Sequence, residues 1–152
     1  MSILQPEHVD FLATVRRAVL ATTASSGVPR LVPICFAVIV DSAGPILCSP
    51  LDDKPKRRGD PHQLARVRDL AARPGVTLLA DRWDEDWARL AWIRIEASAS
   101  VIEPGHPEHE PAVGALRARY PQYRTHALET SPIIRFRPTR VAWWSAANRP
   151  DL

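Results

Sequence analysis

Between Ala18 and Pro50 the sequence holds strand-like runs with nothing between them but turns, and that arrangement leaves few folds open. AVLATTA at 18–24 is rich in strand-favouring residues, SSGVPR reads as a turn, LVPICFAVIV at 31–40 is a near-continuous apolar strand, DSAGP turns the chain, and ILCS at 46–49 is the next strand. Strands this close in sequence pair antiparallel, because parallel neighbours need a crossover of a dozen or more residues. This part of the chain is therefore a β-meander.

The rest of the chain fits around such a sheet. Pro6 suits a first helical turn, and Val9, Leu12, Val15 and Val19 recur at helical spacing. A second helix is expected from Pro61, with Leu64, Val67, Leu70 and Ala71 as its apolar stripe, stopped by Pro74-Gly75. VTLLAD at 76–81 is a strand. In LAWIRIEASASVI at 90–102, Ile93, Ile95, Ala97, Ala99 and Val101 alternate with polar residues, so one face is buried. A short helix carrying Val113, Leu116 and Tyr120 follows the Pro-rich EPGHPEHEP, and IIRF and RVAWWS close the chain as two short strands. Six or seven largely consecutive strands with two or three helices predict an α+β fold built on a small antiparallel barrel, in one domain spanning 1–152.

Absences prune the function classes. GxGxxG, GxxxxGK[ST], HExxH and GxSxG do not occur, so dinucleotide-fold dehydrogenases, P-loop NTPases, zincins and α/β-hydrolases lack motif support. Cys35 and Cys48 lack zinc-site spacing and read as reduced, half-buried thiols; His8, His62, His106, His109 and His126 read as surface residues; no metal is expected. The first residues are too polar for a leader or anchor and no apolar run is long enough to span a bilayer, which predicts a cytoplasmic protein without membrane contact.

Two constellations carry chemistry. The net charge is only +3, yet Lys54, Lys56, Arg57, Arg58, Arg66, Arg68 and Arg73 crowd into 51–76, with Ser49 at the preceding strand end. Such a set suits an anion, above all a phosphate, although a solvated basic face accounts for the charges too. Trp83, Trp87, Trp92, Trp143 and Trp144 supply indole faces for a planar ring, or core and interface anchors.

The order of the pieces DDKPKRR, LARVRDLAARPGVTLLAD, DEDWARLAWIRIEASASVI, RYPQY and VAWWS, from about Phe11 to Ser145, resembles the pyridoxamine 5'-phosphate oxidase-like superfamily. Within it the chain is similar to the short actinobacterial flavin- and deazaflavin-dependent oxidoreductases. The resemblance implies a split β-barrel homodimer with two cofactor sites at the subunit interface, the cofactor being coenzyme F420 or alternatively FMN. It places ring contacts on Pro33, Ile34 and Cys35, a hydroxyl contact on Ser49, phosphate contacts on Lys54, Lys56 and Arg66, and an aromatic contact on Trp87 of the partner subunit, with Trp144 as a further candidate. GDPHQ lengthens the loop before Arg66, Asp69 stands where the family commonly has Asn, where it either sits near the anion or pairs with Arg66 or Arg73, and Ala97 and Ser98 replace a frequent Gly.

The expected activity is hydride transfer from reduced coenzyme F420 to a small electron-poor substrate, with backbone amides at Ile34–Cys35 facing the ring's polar edge and the proton coming from solvent or Tyr120. A binding protein that holds flavin or deazaflavin without turnover, and an FMN-dependent oxidase, are the alternatives. A small basic barrel on single-stranded nucleic acid is a third reading, against which the acidic DEDW beside the aromatics argues, so no nucleic-acid partner is expected.

Overall fold

The computed structural model describes residues 2–51 and 59–148. Seven strands form one antiparallel sheet: β1 (Ala18–Thr23), β2 (Pro29–Ile34), β3 (Ala37–Asp41), β4 (Gly44–Pro50), β5 (Gly75–Arg82), β6 (Ala91–Ile102) and β7 (Ile133–Ser145). Three helices accompany them among the described residues: α1 (Pro6–Thr14), α2 (Ala65–Ala72) and α3 (His109–Arg119). None of the described helices is long and apolar enough to cross a membrane.

Strand order closes the barrel. The sheet runs β2-β1-β5-β6-β7-β4-β3, so β2 and β3 are its two edges, yet only Cys35 and Phe36 separate them in sequence. Seven strands laid flat put their edges on the order of 30 Å apart. Three Cα steps span at most about 11 Å. The sheet must therefore curl until its edges approach, and among the described residues no ladder joins them. The result is a barrel split along the β2/β3 seam.

Three sequence expectations change here. LVPICFAVIV is two strands on opposite edges, not one. IIRF and RVAWWS are one strand, β7, because Pro138 sits beside a bulge: Glu96 pairs with Arg140 and Ala97 with Pro138, which leaves Thr139 as the extra residue, so the ladder tolerates the missing N–H. Pro61 opens a 3-10 turn (Pro61–Gln63), and α2 begins only at Ala65. Gly44, at φ +117°, takes a left-handed conformation in the β3–β4 turn, and a Cβ there would strike the Ser2 side chain at 2.5 Å.

The barrel interior holds Leu20, Phe36, Leu47, Ile93, Ile95 and Phe136, all but sealed from water. A second cluster, with Cys48, Ile102, Leu116 and Ile133, lies under α3. Burial pushes the Cys48 thiol up to about 12, so it stays protonated and inert, while Cys35 is half-buried. His8 and His109 are buried, contrary to the expectation of surface histidines. The first accepts the Gln5 N–H at 3.0 Å through Nδ1, and the second places Nε2 2.7 Å from the Ser131 carbonyl, so both serve the fold.

Candidate functional site

The site begins at the β2 end. Pro33 is exposed, Ile34 is buried, Cys35 is half-buried and Phe36 is fully buried. Ser49, near the end of β4, is 2% exposed and its Oγ donates to the Cys35 carbonyl at 2.7 Å. The hydroxyl expected to meet a ligand is instead bonded to the chain that carries the expected ring contacts. Tyr120 ends α3 with its hydroxyl against the same junction. Oη accepts from Phe36 N–H at 3.1 Å and Arg119 Nε at 3.1 Å, and it lies 2.8 Å from the Arg16 carbonyl and 3.0 Å from the Phe36 carbonyl. A tyrosine hydroxyl has one proton and two acceptor positions. All are engaged within the fold: the proton expected from Tyr120 is held by the Arg16 and Phe36 carbonyls.

Strand register defines the outer face that Pro33 shares. Pro33 lies beside Val19, Val19 beside Leu79, Leu79 beside Arg94 and Arg94 beside Ala142. One row towards the β5–β6 turn come Asp81, Trp92 and Trp144. Leu31, two residues along β2 from Pro33 and so on the same face, is 67% exposed and Leu79 is 43% exposed, so the face carries large apolar groups in water. The inner-face alternative falls to Trp143, which packs on Phe11 at 4.7 Å between ring centres. Trp144 is half-buried on the outer side.

Trp87 projects from the β5–β6 connection and is 68% exposed, with Trp83 similarly exposed beside it. The acidic residues around them shape the loop. Asp84 accepts from the Asp86 amide at 2.8 Å, Asp86 accepts from the Ala88 amide at 3.1 Å and so caps the 3-10 turn at Trp87–Arg89, and Asp84 pairs with Arg89 at 3.3 Å. Capping by Asp fixes where the indole leaves the chain. Pro33 and Trp144 lie four strands apart, roughly 19 Å along the sheet. On the outside of a curled sheet, side chains four strands apart also leave in different directions, so a single chain does not bring the β2 end together with Trp144 around one planar ring.

On the basic side, Lys54 and Lys56 lie outside the described residues, and Arg66 is half-buried near the start of α2. Asp69, expected near the anion or paired with Arg66 or Arg73, is buried on α2 and takes Arg30 as its chief partner: Oδ2 accepts from Arg30 Nε at 2.8 Å and from the Thr22 hydroxyl at 2.9 Å, with Arg73 Nη2 4.0 Å from Oδ1. Arg30 holds the Asp69 carboxyl below the usual carboxylate range, outweighing burial. Nothing in the sequence marks a pair 39 positions apart. A carboxylate with a depressed pKa in the fold contributes stability above its unfolded pKa of about 3.9 and loses it as pH falls through the lower folded value. Asp69→Asn is expected to be less stable than wild type at pH 7, with the difference shrinking below about pH 4. Urea unfolding at a series of pH values checks this, and a pH-independent difference would refute it. An open depression of about 430 Å³ on the outer face, where β1 and β5 diverge beyond Ala21 and Thr77, includes none of the expected site residues.

The sequence pattern of the pyridoxamine 5'-phosphate oxidase family matches residues 4–145. No curated protein matches the chain. Among solved structures, a conserved hypothetical protein from Mycobacterium tuberculosis aligns with a TM-score of 0.72 at 18% identity, covering 99% of this chain and 92% of its own. The heme storage protein HutZ from Vibrio cholerae aligns at 0.63 and 16% identity, covering 95% of each chain. An F420 reductase aligns at 0.61 and 16% identity, covering 91% of this chain and 98% of its own. At such identities the likeness shows the fold alone.

Proposed function

The chain belongs to the pyridoxamine 5'-phosphate oxidase family, and on that premise we propose that it is a coenzyme F420-dependent oxidoreductase, working as a homodimer that reduces a small electron-poor organic substrate. One observation carries the reading. The exposed Pro33 end of β2 and the half-buried Trp144 share the sheet's outer face with unburied Leu31 and Leu79, Trp87 stands exposed at the β5–β6 connection, and four strands separate Pro33 from Trp144. A second copy docked on that face resolves both facts, covering the leucines and bringing Trp87 of the partner subunit to the β2 end.

The residues present suit a phosphorylated, planar cofactor. Pro33, Ile34 and Cys35 offer a rigid strand end, Lys54, Lys56 and Arg66 supply positive charge for the phosphate, and Trp87 of the partner subunit, with Trp144, closes over the ring. When bound, the cofactor supplies the hydride chemistry, so the protein needs no nucleophile of its own. The chain's residues bind it, orient it and exclude water. Ser49 acts one step back, through the Cys35 carbonyl. Solvent is the proton source that this arrangement leaves open, since Tyr120 is committed.

Two fluorescence titrations of the purified protein test the proposal, one with coenzyme F420 and one with FMN, following indole quenching and the ligand's own emission. Tight binding of coenzyme F420 is expected; oxidation of the reduced cofactor by an added nitro-aromatic or quinone acceptor then separates a reductase from a protein that only stores or carries it. Preference for FMN moves the assignment to flavin-dependent oxidases, and binding of neither refutes the proposal.

A further inference from the structure

The two residues that cross the barrel seam, Cys35 and Phe36, have left the β2 ladder and not yet joined β3, so their backbone polar groups need other partners. Two side-chain hydroxyls supply them. Ser49 Oγ donates to the Cys35 carbonyl at 2.7 Å, and Tyr120 Oη accepts the Phe36 N–H at 3.1 Å and lies 3.0 Å from the Phe36 carbonyl. Both hydroxyls come from elsewhere in the sequence, Tyr120 being 84 positions from Phe36. We infer that Ser49 and Tyr120 are positioning residues: together they clamp the Cys35–Phe36 crossover and so set where the Pro33–Cys35 strand end meets the cofactor ring.

The clamp is itself held. Arg119 stacks its guanidinium 4.8 Å from the centre of the Phe36 ring, donates through Nε to Tyr120 Oη, and through Nη2 to the carbonyls of Leu12, at 2.9 Å, and Val15. Those carbonyls belong to the C-terminal end of α1, which lacks intrahelical partners for them. Arg16 lies over the Tyr120 ring at 5.0 Å and donates to the Arg119 carbonyl at 2.7 Å, and Tyr123 meets the same ring edge-on at 5.5 Å. The Tyr120 hydroxyl is thus fixed by α1, α3 and the segment before β1 at once. A group pinned from so many sides transmits its position, and a misplacement of well under 1 Å at a reacting centre is costly. Removing one hydroxyl leaves a buried peptide group without its partner, a loss concentrated at the crossover.

The inference rests on the proposed cofactor site, and the experiment separates the two. Tyr120→Phe keeps the ring, its stacking and its volume while deleting the hydroxyl. Amide hydrogen exchange of the full chain is expected to quicken about tenfold at Phe36 and its neighbours, while β5 and β6 keep their protection. Coenzyme F420 is expected to bind about tenfold more weakly, with its bound emission shifted towards that of the free cofactor, a change that general loss of stability does not produce while the variant remains folded. Ser49→Ala attacks the clamp from its other side and is expected to act in the same direction, which keeps the test alive if one variant fails to fold. Unchanged exchange at Phe36 in both variants overturns the clamp. Faster exchange with wild-type affinity and emission overturns the positioning role and leaves a purely structural one. A wild-type protein that binds neither F420 nor FMN overturns the cofactor reading, and with it the role of the clamp towards that ring, even if exchange confirms that the hydroxyls hold the crossover.

Discussion

Phe36→Ala is expected to remove about 3–5 kcal/mol of stability, the range for truncating a buried phenylalanine. Phe36 is fully buried at the seam, in the same core as Leu47 and Phe136, and it carries the Arg119 guanidinium on its face. Truncation opens a cavity and takes away the surface on which Arg119 rests, so the site has little freedom to collapse. For a domain of this size the loss corresponds to a melting point lower by roughly 6–20 °C. Phe36→Leu keeps most of the volume and is expected to cost less than half as much. Equilibrium urea unfolding measures both, and equal losses in the two variants would show that shape at the seam, rather than buried volume, controls the effect.

Most of the fold was legible in the sequence because local pattern and burial agree. β6 alternates between Ile93, Ile95, Ala97 and Ala99 inside and Arg94, Glu96 and Ser98 outside or at the margin, and period-two patterning of that kind has one structural meaning. The helix stripes were legible in part: Leu12, Val67, Leu70, Val113 and Leu116 are buried as expected, whereas Val19 belongs to β1, Leu64 precedes α2 as its cap, Ala71 is exposed and Asp69 takes a buried place on α2. LVPICFAVIV failed as a single strand for a physical reason. A chain that leaves one sheet edge and joins the other stays apolar throughout, and neither Gly nor Pro marks the break between Cys35 and Phe36, because hydroxyls from distant segments hold it. Tertiary partners decide such a feature, and so does the Arg30–Asp69 pair that ties α2 to β2.

At the candidate site the exposure of the expected surface residues was legible in the sequence, and the hydrogen-bond partners of the hydroxyls were not. Pro33 stands exposed on the sheet's outer face, where Trp144 lies half-buried, and Trp87 stands exposed at the β5–β6 connection. In sequence Ser49 looks like a ligand group, a hydroxyl beside a basic loop, and Tyr120 reads as a proton donor. Geometry gives both to the backbone. DEDW, read as an acidic neighbour of the indoles, is the cap that aims Trp87 outward.

Leu79→Asp is expected to break the proposed dimer and to abolish cofactor binding with it. Leu79 lies at the middle of the outer row, flanked by Val19 and Arg94, and at 43% exposure in the single chain it already meets water. A carboxylate there costs the isolated chain little. In a face-to-face dimer the same carboxylate loses its hydration against apolar neighbours, a penalty of several kcal/mol that is incurred once in each subunit. Dissociation is therefore expected to strengthen by more than about a hundredfold. Light scattering after size exclusion reads the assembly and the F420 titration reads the site. Two-chain sites predict that both fall together while thermal unfolding of the dilute protein barely moves. A Leu79→Asp variant that stays dimeric places the interface elsewhere, and a monomeric variant with wild-type affinity for F420 means that Trp87 of the partner subunit is not part of the site.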